Sequence, residues 1–302
     1  MNKLRISVIG HLTIDEIEFT DGNTRIAPGG TTFYTSITSS ILGSFTKIYS
    51  IVGGDYPDEY LEELSKNRVD ICEVIKDVEC RTTRYSIKYR DDFREMRLLH
   101  RAPRIEVKAV EDSDALYLGP VAGELIEDDI IDLSRKFKTV LDPQGILRSI
   151  DDCGRIKLEK KIDVNILSKI WLLRLSQEES EILTDSVNPV EACERLLKLG
   201  VENVVLSMGS RGLITMNREK RYFIPPYQNI KVIDPTGAGD VLGGAFLVEF
   251  LKTRDLAWAS SIGASAASIS IEDYGVNSIL SINFKKNLIE RANEILEKIK
   301  KL

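Results

Sequence analysis

Asp234-Pro235-Thr236-Gly237-Ala238-Gly239-Asp240 joins glycines, which let backbone amides crowd around one point, to a carboxylate, and runs straight into Val241-Leu242-Gly243-Gly244-Ala245-Phe246-Leu247. A tight turn entering a helix leaves amides unpaired and aligned, with the positive end of the helix dipole behind them. Such a place holds an anion. Asp240, at the end of the turn, is expected beside that anion rather than buried, where a carboxylate is useful if it takes a proton. An amide cradle with an adjacent base is the minimum equipment for moving a phosphoryl group onto a hydroxyl. The stretch also has a plain structural reading, a loop closure in which Asp caps a helix. Its surroundings favour the chemical one: an extended apolar segment, Asn229-Ile230-Lys231-Val232-Ile233, leads in, Pro235 blocks helix before the turn, and a small-residue helix leads out.

A second carboxylate, Asp15, closes the run Gly10-His11-Leu12-Thr13-Ile14-Asp15 just beyond the first apolar strand, at the edge where open α/β sheets bind ligands. One carboxylate can accept two hydroxyl hydrogen bonds, a natural grip on a polyol, although Asp is also common in turns and caps. Pro28-Gly29-Gly30 opens a helix at Thr31, and paired glycines let backbone donors approach a ligand closely. Asp142-Pro143-Gln144-Gly145-Ile146-Leu147-Arg148 follows another strand. There Gln144 can donate and accept toward ring hydroxyls and Arg148 can pair with phosphate, or Pro143 and Gly145 simply build a turn.

Composition narrows the classes. A net charge of −6 over 302 residues argues against nucleic-acid or membrane-surface partners, which need concentrated positive potential. The amino-terminal run Met1 to Gly10 is too short for a signal peptide or a span and is interrupted by Arg5, so a cytoplasmic location is expected. His11 and His100 are the only histidines, leaving little room for Ser-His-Asp hydrolysis or a multi-histidine metal site. Cys72, Cys80, Cys153 and Cys193 lack C-x-x-C spacing and read as free thiols. The chemistry is left to carboxylates and backbone. A charged fraction of 29%, with glutamine confined to Gln144, Gln177 and Gln228, points to a thermophile.

The elements that must position these groups alternate between apolar β-type runs and amphipathic helices, the pattern of a parallel sheet covered on both faces. Strands are predicted at Leu4 to Ile9, Lys47 to Val52, Ala115 to Leu118, Thr139 to Leu141, Ile170 to Leu175 and Asn203 to Ser207. Helices are predicted at Thr31 to Leu42, Asp58 to Lys66, Leu125 to Lys136 and Val190 to Leu199, and then at Val241 to Leu251, Leu256 to Ser270 and Ile282 to Ile299. Two regions break the rhythm, Thr13 to Ala27 and Arg81 to His100, the second a hairpin around Asp91-Asp92. They form either a separate small sheet or an edge hairpin on the main one.

The turn at Asp234 resembles the carboxyl-terminal signature of the ribokinase-like carbohydrate kinases, the PfkB group: Asp-Thr-x-Gly-Ala-Gly-Asp, then a helix with Gly-Ala-Phe, here Gly244-Ala245-Phe246. Pro235 is a departure. The resemblance spans essentially the whole chain and implies one α/β, ribokinase-like domain over residues 1–302, with a central, mostly parallel sheet and helices on both faces. It adds a small β lid of about residues 13–27 and 81–100. In many members two lids clasp, so a homodimer through the lid is expected. By position Asp240 is the general base, and the amides of Gly237, Ala238 and Gly239 hold the transferring phosphate. Asp15, Gly29 and Gly30 fall on substrate-binding positions, but Tyr34 stands where most members have Asn, which unsettles ribose and nucleoside assignments.

Ser207-Met208-Gly209-Ser210-Arg211-Gly212 is similar to the family's nucleotide loop Thr-x-Gly-x-x-Gly, placing Ser207, Gly209, Ser210, Arg211 and Gly212 against ATP, although a hairpin turn would look the same. Gly275 matches a glycine in the loop after the helix that flanks the adenine pocket. Ser176-Gln177-Glu178-Glu179 is the best match to the Asn-x-x-Glu motif that organises Mg²⁺, with Glu179 reaching the ion through water. Ser176 and Glu179 also read as a helix capping pair, and both roles can hold at once. A monovalent cation beside the Asp234 loop is left open. The segments at Asp142 to Arg148 and Ile37 to Gly43 resemble those of archaeal and bacterial myo-inositol kinases.

The resemblance therefore implies an ATP- and Mg²⁺-dependent kinase for a hydroxyl of a small sugar or polyol. Myo-inositol comes first, with ribose, 2-keto-3-deoxygluconate, fructose phosphate or a nucleoside as alternatives, and Gln144 joins Asp15 in orienting the acceptor. A nicotinamide-dependent oxidoreductase expects G-x-G-x-x-G between the first strand and helix, which Gly10 to Asp15 lacks. A fold that only binds and regulates would ordinarily have lost the base.

Overall fold

Apolar runs buried on both faces build the centre of the molecule, and the chain alternates them with helices so that each strand returns parallel to the last. The structure, a computed structural model, describes residues 3–90, 94–107 and 110–302. The turn expected around Asp91-Asp92 lies outside the described residues. In chain order the elements begin with β1 (Arg5–Ile9), β2 (Thr13–Glu18), β3 (Thr24–Gly29), α1 (Thr31–Ile41), β4 (Phe45–Gly53), α2 (Asp58–Lys66), β5 (Val69–Asp77), β6 (Arg84–Tyr89) and β7 (Arg94–His100). Next come β8 (Ala115–Leu118), α3 (Glu127–Lys136), β9 (Thr139–Leu141), α4 (Gln144–Leu147), β10 (Arg148–Ile150), β11 (Ile156–Leu158), β12 (Leu172–Ser176), α5 (Gln177–Thr184) and α6 (Pro189–Lys198). The remainder holds β13 (Asn203–Ser207), β14 (Leu213–Asn217), β15 (Arg221–Ile224), α7 (Ala238–Thr253), α8 (Leu256–Ser270), α9 (Asn277–Leu280), α10 (Phe284–Leu296) and β16 (Lys300–Lys301).

The main sheet has 10 strands in the order β16-β15-β14-β13-β12-β9-β8-β1-β4-β5. From β13 to β5 neighbours run parallel, and β14, β15 and β16 add an antiparallel edge. Alternate strand residues feed opposite cores. Leu116, Leu118, Leu173, Leu175, Val204 and Leu206 pack under the face that carries α3, α5 and α6. Ile6, Val8, Tyr117, Val140, Leu172 and Val205 pack on the other face with Leu242, Phe246, Leu247 and Ala259 of α7 and α8.

The two regions that break the βα rhythm pair with each other. β3-β2-β6-β7 is a separate four-stranded sheet, with β2 and β6 parallel and the outer pairs antiparallel. Asp15 therefore lies inside strand β2, opposite Ala27 and Tyr85, not in a turn at the end of β1. Residues 229–233, expected to be extended, form no strand. Asn229 takes φ 60°, and Ile233 instead donates its amide to Ile271 O at 2.7 Å. The main sheet's edge is already taken by β16, so this stretch lines a cleft.

Candidate active site

Helix α7 starts where the sequence needs it to, because Pro235 cannot continue a helix backwards and Gly237 adopts φ 75° at the N-cap with no side chain capping it. A side chain at Gly237 would be strained in that conformation and would meet the Tyr34 ring at 2.6 Å. At Gly239 a Cβ would collide with the Arg174 guanidinium. The turn is closed by its own bonds: Ala238 N–H donates to Pro235 O at 3.3 Å and Asp240 N–H to Gly237 O at 3.0 Å. The Ala238 amide is thus turned inward, which leaves Gly237 and Gly239 as the better anion donors. Asp234 holds the turn from below, accepting from Thr236 N at 2.9 Å and Gly275 N at 3.1 Å.

Asp240 is half-buried and borders two cavities. Burial, and then the nearby Asp142 carboxylate, push its pKa up to about 7 against the opposing pull of Arg174, the Thr31 hydroxyl and Arg148. Thr31 Oγ1 in turn accepts from Gln144 Nε2 at 2.6 Å, while Gln144 Oε1 accepts from Arg148 at 2.6 Å. Both ends of the Gln144 amide are therefore engaged, one of them with the Thr31 hydroxyl that faces Asp240. Arg148 also donates to Val121 O at 2.9 Å.

Beneath the turn, Arg174 pairs with fully buried Asp142 at 2.8 Å and reaches Ser207 Oγ at 3.4 Å. Its Nε is buried without a partner. Sequence reasoning missed Arg174, although an arginine within the apolar run Ile170 to Leu175 was a visible signal. Glu179 is buried beside this pair. It completes a capping box with Ser176 at 2.7 and 3.3 Å, and burial together with Asp142 raises its pKa.

Asp15 is buried in the smaller cavity, about 50 Å³, which it shares with Gly30, Thr31, Tyr34, Gln144, Thr236, Gly237 and Asp240. Its Oδ1 accepts from Thr13 Oγ1 at 2.7 Å, and burial raises its pKa to about 6 despite that bond and the charges of Arg148 and Arg94. Gly29 does not border the cavity. It lies against the Asp15 carboxyl, where any larger residue would displace it.

The second cavity, about 780 Å³, is polar and holds Gln144, Arg148, Arg174, Glu179, Ser207, Gly209, Arg211 and Gly237 to Asp240. It opens onto an apolar cleft of about 580 Å³, walled by Pro225, Pro226, Tyr227, Ile230, Val232, Leu242, Ala264 and Ala267, with Ser210 and Gly212 at its rim. The loop Ser207 to Gly212 is the β13–β14 hairpin connection and also borders both spaces. The small residues of α8 divide likewise. Ser260 and Ser265 are buried in packing bonds, while Ala264 and Ala267 face the cleft. Gly275 borders none of these spaces and serves Asp234 instead.

The small sheet touches the turn directly, since Tyr89 Oη of β6 hydrogen-bonds Thr236 Oγ1 at 2.8 Å. Phe19 stacks on Tyr89 and meets Tyr274 edge-on, at 6.0 and 5.2 Å between centroids. Among the described residues no cluster of three or more His, Cys, Asp or Glu could hold a metal, and no helix is long and apolar enough to cross a membrane.

Residues 3–283 match the model of the pfkB family of carbohydrate kinases. Over 283 residues the chain is 24% identical to a cytidine kinase of Thermococcus kodakarensis, covering 90% of this chain and 98% of that one. A solved pyrophosphate-dependent kinase in the ribokinase family, complexed with a pyrophosphate analog and myo-inositol, superposes with a TM-score of 0.80 at 26% identity, covering 89% of this chain and 96% of that one. The ribokinase of Thermotoga maritima shares the fold with a TM-score of 0.73 at 21% identity, over 97% and 99% of the two chains. With its ribokinase-like fold and a family match running nearly end to end, the chain belongs to the pfkB family of carbohydrate kinases and is a kinase of the sugar and nucleoside class.

Proposed function

We propose that the protein transfers the terminal phosphoryl group of ATP to a hydroxyl of a small polyol or sugar, with myo-inositol the first acceptor to test. The observation that carries this reading is the placement of Asp240 at the junction of two compartments. One, about 50 Å³ before the small sheet moves, holds Asp15 and so offers a polyhydroxylated acceptor its carboxylate, and the other leads past the amides of Gly237 and Gly239 into an apolar cleft of a size for a nucleotide base. The acceptor oxygen bonds to phosphorus as the bridging P–O bond to the departing diphosphate breaks, and the hydroxyl proton passes to Asp240. The two glycine amides and the dipole of α7 offset the charge on the phosphoryl oxygens. Asp15 orients the acceptor through its hydroxyls.

Mg²⁺ bound to the donor phosphates would neutralise their charge. One buried carboxylate at the cavity wall, Glu179, suits an ion that keeps most of its waters. The sheet β3-β2-β6-β7 serves as a lid: it carries Asp15 on β2 and rests on Thr236 through Tyr89, so its closure shields the reaction from water.

The similarity to a pyrophosphate-dependent kinase keeps a second donor in view, while the apolar cleft favours the nucleotide. A panel of polyols, sugars and nucleosides, offered with ATP or pyrophosphate and with or without Mg²⁺, tests the reading. Phosphorylated myo-inositol formed from ATP and Mg²⁺ supports it. Transfer confined to nucleosides, or from pyrophosphate alone, would replace the acceptor or the donor.

A further inference from the structure

The hairpin β10–β11 belongs to neither larger sheet and consists of two strands of 3 residues each, none of them fully buried. Two strands of this length do not hold together alone in water. Their support comes from the small sheet. At the hairpin tip Gly154 O accepts the Leu98 amide of β7 at 2.8 Å, and Arg155 bridges to Arg97. Ile156 packs into the apolar cluster of Ile17, Tyr85 and Ile87. At the hairpin's root the Arg148 guanidinium lies over the Tyr85 ring, 5.5 Å from its centroid, and Tyr85 Oη and Arg148 both donate to Val121 O. The same hairpin also walls the polar donor cavity. Arg148, Ile156 and Leu158 border that cavity, as do Met96 of β7 and the turn Gly237 to Asp240.

We propose that this hairpin is a strap that moves with the small sheet, so that a donor in the polar cavity closes the acceptor compartment and an acceptor tightens the hold on the donor. This rests on the kinase reading above and adds a coupling between its two sites. The acceptor compartment, about 50 Å³, admits a polyol only when the small sheet moves away. The bonds to β7 make the hairpin follow, pivoting where Glu159 N–H donates to the carbonyl of buried Leu147 at 2.8 Å. Met96 and Ile156 then withdraw from the donor cavity, and Arg148 at the pivot loses the Tyr85 ring against which it lies. A donor meets the complete wall only in the closed arrangement, which is the differential affinity that a population shift needs. By linkage the acceptor raises donor affinity by the same factor.

Two variants cut the strap at residues that border neither compartment. Gly154 has φ 77°, and a Cβ there would stand 2.4 Å from Leu98 O, so Gly154→Val forces the tip off β7. Leu98→Pro removes the amide that reaches Gly154, on an edge strand where proline is tolerated. Melting temperatures confirm that each folds. Hydrogen exchange of the full chain is read by mass spectrometry with and without Mg²⁺ and the β,γ-imido analogue of ATP, or methylenediphosphonate where the wild type uses pyrophosphate. In the wild type the analogue should slow exchange in residues 207–212, 148–158 and 94–100. In both variants residues 207–212 should keep their protection while residues 94–100 lose it. Calorimetry with the acceptor that the wild type turns over should show the analogue tightening acceptor binding about 5- to 150-fold, and roughly 2-fold or less in the variants. If folded variants keep both effects, or if the wild type binds the analogue and shows neither, the strap is wrong though the kinase reading stands. If the wild type neither binds these analogues nor uses ATP or pyrophosphate, the kinase reading falls and the strap with it.

Discussion

In the proposed reaction two carboxylates set the chemistry, and burial raises the pKa of both. Asp240, raised to about 7, and Asp15, raised to about 6, each keep a proton in the folded chain to higher pH than in the unfolded one. The folded state then binds more protons between the ordinary carboxylate range and about 7, so these groups make stability fall as pH rises through that window. Asp240→Asn removes one of them. Its melting temperature should exceed the wild type's by a few degrees at pH 8, with the gain shrinking toward zero near pH 4. Equal differences at both pH values, read by scanning fluorimetry, would count against a raised Asp240. Turnover has the opposite dependence because the base must be ionised, so kcat should climb with pH through about 7. Asp15→Ala removes a charged acceptor worth about 1.5–3 kcal/mol, so acceptor KM should rise roughly 10- to 100-fold while ATP KM stays put; steady-state kinetics separate the two.

At the scale of elements, β12 and the residue after β9 are joined by a buried ion pair beneath the start of α7. Removing Arg174 alone would leave Asp142 uncompensated beneath the turn, at a cost of about 3–5 kcal/mol; denaturant titration of Arg174→Met should show that loss, and Arg174→Met combined with Asp142→Asn should recover much of it. The elements themselves were legible in the sequence. Ala115 to Leu118, Thr139 to Leu141 and Asn203 to Ser207 are apolar on both faces and became strands as predicted, and Asp58 to Lys66 and Leu256 to Ser270 became the predicted helices. That residues 229–233 line a cleft was not legible, because an extended apolar run looks the same whether it fills a sheet or walls a cleft. Asp15 was picked out by type and falls in the predicted strand region Thr13 to Ala27, but the pairing of its strand with Tyr85, far away in sequence, was not legible. The Tyr89–Thr236 bond spans 147 residues, and no local spacing announces it. Gln144 was found, but its engagement with Thr31 and Arg148 depends on packing that pattern alone does not reveal.

Across the whole molecule, three of the four crossings between the two sheets are gathered at one polar knot. Glu124 is buried and accepts from the amides of His11, Val121 and Ala122 at 2.8, 2.9 and 2.7 Å. His11 Nε2 must donate to Pro103 O at 2.8 Å, because a carbonyl only accepts, and its Nδ1 hydrogen-bonds Thr83 Oγ1 at 2.8 Å, an oxygen that also accepts the Ala102 amide at 2.9 Å. These residues flank the entries to β2 and β6 and the exit from β7. Glu124→Ala strands three buried amides and should cost about 3 kcal/mol or more, seen as a lower denaturation midpoint. The smaller cavity, about 50 Å³, has room for little more than water, so the proposed reading requires the small sheet to move away for an acceptor to enter. The account as a whole turns on Asp240 taking a proton at the junction of the two compartments. The most direct test is to measure phosphorylated product from ATP, Mg²⁺ and the best acceptor with wild type and Asp240→Asn. The account predicts a drop in kcat of about 10²–10⁴ at unchanged ATP KM, and an Asp240→Asn enzyme within a few-fold of the wild type would contradict it.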